Sequence, residues 1–344
     1  PFAEYKPALD RPGGFLLVPA EEVTDKVPGA GPAVDELAVV PTDGAAAAVA
    51  STAKAIAATK PAATKPTDKP VHMGAINVTG DPVKPLHGAT VVEVIRNNFR
   101  AIMANGERTG RPVLAHLNHP NFGWGVTADE MAAVVEERFF EVYNGHPAVH
   151  HAGDATRPGV ERMWDLANTL RVTALNAPPL YGLASDDSHS YHVPGMNRAT
   201  PGRGWVCVRA ATLAPDALVA AMKAGEFYAS SGVTLADVRY DSAAGTLTVR
   251  VEPDGDAKHT VRFVGTLAPP AGAAATVAPA DVGVTLATVD GHEATYKLTG
   301  KELYVRAVVI ADRPPAVPSF AGQMKQAWTQ PVGWEKRAAG GGGR

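Results

Sequence analysis

The chain contains the stretch Tyr181-Gly182-Leu183-Ala184-Ser185-Asp186-Asp187-Ser188-His189, in which an apolar run ends in small residues. Two side chains that can bind metal follow, Asp187 and His189, two positions apart. A buried parallel strand presents polar side chains at its carboxyl end in this way, and α/β barrels place their active sites there. We interpret the stretch as the end of a buried parallel strand and as half of a metal site.

Segments with the patterns of strands and helices alternate around this stretch. Apolar residues recur at i, i+3 and i+4 over residues 90–105, which predicts an amphipathic helix. Strands are predicted for the apolar runs at residues 15–18, 71–78, 112–120 and 139–143. Alternation at these distances is typical of βαβ units around a parallel sheet, so the pattern predicts an α/β fold.

The composition excludes several classes of protein. With 344 residues, 45% of them hydrophobic, the chain can bury a large core. The net charge is -3 and no block of Lys and Arg alternates with aromatic residues, so we expect no nucleic-acid partner. Cys207 is the single cysteine, which excludes intrachain disulfides and thiolate-rich metal sites. The sequence has no apolar run of about 18 residues, so we predict no membrane span.

The pattern changes along the chain and suggests two domains. Residues 1–234 carry the alternating strands and helices, whereas short segments with period-two alternation predict a small antiparallel β-module over residues 235–335. Residues 44–70 are mostly Ala, Thr, Lys and Pro, which is typical of a low-complexity surface insertion without a catalytic role. The glycine-rich residues 336–344 are expected to form a flexible tail.

Carboxylates and imidazoles recur near the ends of the predicted strands. The candidate metal ligands are Glu22, His72, His119, Asp187 and His189. Each alone has an ordinary alternative, such as a hydrogen-bonded histidine, an exposed acidic pair or a turn cap. Their recurrence around four separate strands favours a metal centre, because a hydrolytic metal site needs several such ligands and one position open for water.

Four motifs, taken in order, resemble the PHP (polymerase and histidinol phosphatase) superfamily, and more narrowly its stand-alone metallohydrolases that include carbaryl-type esterases. The resemblance runs from about residue 14 to residue 232, and the motifs lie at residues 15–23, 115–124, 140–147 and 184–189. It implies a distorted seven-stranded (β/α) barrel of TIM-like type. It also implies two or three divalent ions, Zn, Mn or Fe, at the carboxyl ends of the strands.

The resemblance also implies roles for individual residues. Glu22 would bridge two ions, His72 and His119 would complete the shell of one ion, and Asp187 and His189 would serve the others. Asn144 ends the motif Glu-Val-Tyr-Asn and would orient the substrate or a ligand. We choose as catalytic candidates Asn144 and two histidines that could face the substrate, His146 and His192. We interpret His116 as structural.

Two features of the family are missing from the sequence. The family opens with an Asp-x-His-x-His strand and a Thr-Asp-His strand, which supply about half of its ligands, and neither motif occurs in this chain. The first residue is Pro1 rather than Met, so we expect that the natural amino terminus lies upstream. If the two strands lie there, this chain lacks two strands of the barrel and the native protein is active. If the natural gene also lacks these motifs, the protein would be a degenerate relative with a poorly held second metal.

The sequence therefore predicts a metal-dependent hydrolase that acts on a small-molecule ester, most readily a phosphoester, through a metal-activated water. A carboxyl- or carbamate-ester hydrolase using the same site is the first alternative. A binding module without metal and without catalysis is the second. The compartment stays open between periplasmic or secreted and cytoplasmic, as does the oligomeric state.

Overall fold

The computed structural model describes residues 13–29, 68–269 and 277–335, together with residues 6, 10 and 11. The predicted tail at residues 336–344 lies outside these residues, and so does most of the predicted insertion, residues 44–67. The last two residues of that insertion, Lys69 and Pro70, begin a strand.

Strands dominate the described part of the chain. It contains four α-helices: α1 (Val91–Thr109), α2 (Ala128–Ala133), α3 (Val160–Thr173) and α4 (Pro215–Lys223). It contains fourteen strands: β1 (Ala20–Val27), β2 (Lys69–Ile76), β3 (Leu114–Leu117), β4 (Phe139–Asn144), β5 (Tyr181–Ser185), β6 (Trp205–Val208), β7 (Phe227–Ser230), β8 (Leu235–Asp241), β9 (Thr246–Val251), β10 (His259–Leu267), β11 (Val284–Asp290), β12 (Glu293–Lys297), β13 (Glu302–Ala311) and β14 (Gln326–Thr329).

The strands form three sheets. The first has five strands in the order β1-β2-β3-β4-β5, the second has six in the order β11-β10-β13-β14-β7-β6, and the third has three in the order β12-β9-β8. In the first sheet β3, β4 and β5 are parallel, whereas β2 is antiparallel to both of its neighbours. All neighbours in the second and third sheets are antiparallel.

The predicted (β/α) barrel is wrong, because none of the three sheets closes on itself. Two further features of the described residues differ from a (β/α) barrel. Strand β2 runs antiparallel to its neighbours. Strand β7 pairs with β14 and β6 pairs with β7, so both belong to the second sheet and do not extend the first. The strand predicted at residues 15–18 is also wrong, since residues 16–19 are irregular and β1 begins at Ala20.

The two faces of the first sheet have different side chains. Alternate residues such as Met73, Ala115 and Phe140 point towards α1, α2 and α3 and belong to one apolar core. Because the side chains of a strand alternate between faces, the intervening residues of β1 to β4 point the other way. These include Glu22 and Glu141, so the sheet presents acidic side chains on the face opposite the three helices.

A buried ion pair connects α3 to the second sheet. Arg306 of β13 donates from Nε and Nη2 to the two carboxylate oxygens of Asp165, at 3.0 and 2.8 Å. The Tyr304 hydroxyl donates to the same carboxylate at 2.9 Å, and the guanidinium lies 4.5 Å from the ring centroid of Trp164. Both charged side chains are almost fully buried, so this pair helps to hold α3 against the second sheet.

The second sheet contains strands from both sides of the predicted domain boundary at residue 234, because β7 pairs with β14. The predicted division into two domains stays a prediction. Within the described residues, no helix combines the length and the apolar character needed to cross a membrane.

Candidate metal centre

Glu22, His72 and His119 meet at one end of the first sheet. Glu22 Oε1 lies 3.2 Å from His72 Nδ1 and 3.4 Å from His119 Nε2. Each residue offers one possible ligand atom, and the three atoms lie within 4.8 Å of one another. One carboxylate oxygen and two imidazole nitrogens suit Zn, Mn or Fe, so the donor set fits the metals implied by the resemblance.

Strand register brings the first two of these residues together. Glu22 lies opposite Gly74 in the β1–β2 pairing, and His72 is two residues before Gly74. A separation of two residues keeps both side chains on one face of the sheet. Asn118 stabilises the arrangement, because its Nδ2 donates to Glu22 Oε1 at 2.8 Å.

His119 follows β3 by two residues and is held by a buried carboxylate. Its backbone N–H donates to Glu141 Oε2 at 2.8 Å, and its side chain is only 6% exposed. The ring of Phe122 lies 5.0 Å from the ring of His119 and 6.0 Å from that of His72, centroid to centroid. These contacts leave Nε2 of His119 directed towards Glu22.

Asp187 lies beside the three-residue cluster. Its Oδ2 is 3.8 Å from His119 Nε2 and 3.3 Å from Asn144 Nδ2. Its φ is +48°, in the left-handed region that few residues other than glycine adopt. Such backbone strain is often found at functional sites, which agrees with a functional role for this carboxylate.

His189 lies at the rim of the site. Its Nδ1 is 2.8 Å from the backbone oxygen of Asp187 and 3.6 Å from Asp187 Oδ1, and its side chain is 65% exposed. Its ring centroid is 5.6 Å from that of His146. His189 is therefore close to Asp187 but outside the cluster formed by Glu22, His72 and His119, and its predicted role as a ligand stays a prediction.

The three catalytic candidates have different surroundings. Asn144 is buried, and its Nδ2 donates to Glu141 Oε2 at 2.8 Å while its Oδ1 accepts from the backbone N–H of His146. His146 stands at the mouth of the site, 5.8 Å from the Phe122 ring, and partial burial lowers its pKa. His192 is exposed in the loop after β5 and makes no hydrogen bond to another described residue.

Glu141 is a central residue of the site that the sequence did not single out. Its carboxylate accepts hydrogen bonds from the backbone of His119 and the amide of Asn144, both at 2.8 Å, and from the Ser185 hydroxyl at 2.5 Å. It is 3% exposed. The available signal was a lone acid in the otherwise apolar run 139–143, because a buried carboxylate is costly unless it is hydrogen-bonded.

His116 also lies closer to the site than its structural interpretation suggested. Its ring covers Gly74, where a Cβ atom would lie 2.0 Å from His116 Cε1, so only glycine leaves room for it. Its Nε2 is 4.0 Å from Glu141 Oε1. Its Nδ1 is buried and has no hydrogen-bond partner among the described residues. Burial lowers the pKa of His116 although two nearby carboxylates oppose the shift.

The residues of the cluster shift one another's pKa values. Hydrogen bonding to His119 and His72 holds the pKa of Glu22 well below its ordinary value. Burial alone would lower the pKa of His119, but Glu22, Glu141 and Asp187 outweigh it and raise that pKa. A metal ion would have to displace a proton from His119, so its affinity should fall as the pH falls.

Comparisons of the chain with protein-family models, with curated proteins and with solved structures found no match. The resemblance given by the four motifs therefore stands on those motifs alone.

Proposed function

We propose that the protein is a metal-dependent hydrolase in which Glu22, His72 and His119 hold a divalent ion. The observation that supports this proposal is the convergence of their three ligand atoms within 4.8 Å at one end of the first sheet. A bound ion of this kind lowers the pKa of a water molecule and polarises an ester oxygen. Asp187, whose Oδ2 lies 3.8 Å from His119 Nε2, would complete the metal shell or orient that water.

The remaining side chains position the reacting groups. Asn144 holds Asp187 through its Nδ2 and holds the backbone of His146 through its Oδ1. The Nδ1 atom of His146 accepts a hydrogen bond from the backbone N–H of Ala148 at 3.2 Å. The proton of the neutral imidazole then lies on Nε2, from which it can be donated to the oxygen of the leaving group.

The surroundings favour a carboxyl or carbamate ester over a phosphoester. Arg203 is the buried cation beside Gly145, but its guanidinium already donates to the carbonyl oxygens of Gly145, Gly195 and Pro318. The side chain packed against His72 and His119 is the neutral ring of Phe122. A phosphoester stays the second candidate, because several cations, as the resemblance implies, would neutralise its oxygens without help from arginine.

The test is an assay of the full chain after chelation and after addition of zinc or manganese, with p-nitrophenyl acetate and p-nitrophenyl phosphate. We expect turnover only with metal, and a higher kcat/KM for the acetate. His119→Ala should lose this activity, whereas His292→Ala, which changes an exposed histidine, should keep it. Turnover that does not depend on metal, or metal binding without turnover of either ester, would overturn the proposal. The absence of both metal binding and turnover would favour the binding module.

A further inference from the structure

An apolar cleft of about 410 Å³ lies next to the candidate metal centre, on the face of the first sheet opposite α1, α2 and α3. Sites for small molecules span roughly 300–1,000 Å³, so the cleft is large enough for part of a substrate. Aliphatic side chains from three regions form its walls: Ile76 and Leu183 from the first sheet, Val206 and Val208 from β6, and Leu218 and Met222 from α4.

The cleft borders the candidate metal centre through Glu141. Glu141, Ser185 and His116 line it, and they are its polar end. Glu141 also binds the backbone of His119, one of the three proposed metal ligands, at 2.8 Å. A group that fills the cleft would therefore have its polar end beside the metal ligands.

His116 has an unpaired polar atom close to the cleft. Its Nδ1 is buried without a hydrogen-bond partner among the described residues. A buried polar atom without a partner costs free energy, and native structures seldom contain one. Because this atom is buried, a ligand in the cleft would reach it only after the imidazole ring turns.

We propose that the cleft binds the aliphatic acyl group of the substrate ester, so that the enzyme prefers medium-length acyl chains. This inference rests on the proposed function. The side chains that line the cleft include no lysine, no arginine and no Phe, Tyr or Trp ring. Their chemistry matches an uncharged, flexible aliphatic chain, and burial of each methylene group should raise kcat/KM by about four-fold.

The test compares p-nitrophenyl acetate, butyrate and hexanoate with the wild type, Leu218→Trp and Leu213→Trp. Leu218 forms part of the cleft wall, whereas Leu213 is exposed just before α4 and is the matched control. In the wild type and in Leu213→Trp, kcat/KM should rise by about four-fold per methylene group. Leu218→Trp should flatten this dependence because the indole fills the cleft. An equal slope in Leu218→Trp and the wild type, or no slope in the wild type, would overturn the inference.

A binding measurement without catalysis separates this inference from the proposed function. Saturation-transfer NMR can report contact between hexan-1-ol and the metal-free protein. We expect a signal in the wild type and in Leu213→Trp, and a much weaker one in Leu218→Trp, whose folding is checked by its circular dichroism spectrum. If hexan-1-ol binds in this pattern but no ester is hydrolysed, the cleft assignment stands and the hydrolase proposal fails. Equal signals in all three proteins would contradict the cleft assignment.

Discussion

Replacing Asp165 by alanine is expected to lower the free energy of unfolding by about 3–5 kcal/mol, because a buried arginine loses the carboxylate that it binds through two nitrogens. The remaining acidic partner of Arg306 is Glu161, 3.6 Å away and partly exposed. Arg306 is 1% exposed, and two of its nitrogens bind the Asp165 carboxylate. The carboxylate also accepts a hydrogen bond from the hydroxyl group of Tyr304. Burial would lower the pKa of Arg306, but Asp165 outweighs it and raises that pKa. A guanidinium does not lose its proton in proteins, so the arginine stays charged when Asp165 is lost.

Urea unfolding followed by circular dichroism measures this effect. Asp256→Ala is the control, since Asp256 forms an ion pair with Arg313 but is 97% exposed, and we expect no measurable change there. The double variant Asp165→Leu with Arg306→Met should recover much of the loss, because apolar side chains of similar volume can replace a buried ion pair. An Asp165→Ala protein as stable as the wild type would show that this pair does not hold α3 against the second sheet.

Replacing Glu141 by glutamine is expected to weaken zinc binding by about 10–100-fold, the usual effect of removing a group that holds metal ligands in place. Glu141 does not belong to the cluster of Glu22, His72 and His119, but it accepts three hydrogen bonds from their surroundings. A glutamine side chain would offer one acceptor oxygen and an NH₂ group. The NH₂ group would face donors, so at least one of these bonds would be lost.

Titration calorimetry with zinc measures the change, and Glu137→Gln is the matched control. Glu137 is as deeply buried as Glu141 but precedes β4, at the end of the strand away from Asn144. Burial raises the pKa of Glu137 to about 8, so its carboxyl group is neutral at pH 7 and glutamine is a close substitute. An equal loss of zinc affinity in both variants would show that the effect is one of general stability and not of Glu141.

Local patterns predicted the elements of the first sheet better than their arrangement. The apolar spacing over residues 90–105 corresponds to α1, and the predicted strands at residues 71–78 and 139–143 correspond to β2 and β4. A pattern of apolar residues shows that a strand is buried, but it does not show the direction of the strand or its partner. The antiparallel direction of β2 and the pairing of β7 with β14 depend on contacts between distant segments. Local sequence patterns do not show these contacts, so they could not reveal that the predicted barrel was wrong.

The candidate site shows the same limit. Glu22, His72 and His119 could be selected as types of residue near strand ends, and the β1–β2 register then places the first two on one face. The orientation of His189 could not be predicted from its position two residues after Asp187. Its Nδ1 lies next to the backbone oxygen of Asp187, a local contact that the residue types do not indicate. The role of Glu141 was not predicted, because the three groups that donate hydrogen bonds to it come from separate segments of the chain. The sequence alone does not show that these groups meet at one carboxylate.

The central claim is that Glu22, His72 and His119 hold a divalent metal ion. It is tested most directly by titrating zinc into the chelator-treated full chain, as wild type and as the double variant Glu22→Gln with His119→Ala. We predict saturable binding to the wild type, weaker at pH 5.5 than at pH 7.5 because His119 must lose its proton, and no such binding to the double variant. Equal zinc binding by the two proteins, or none by the wild type, would contradict the account.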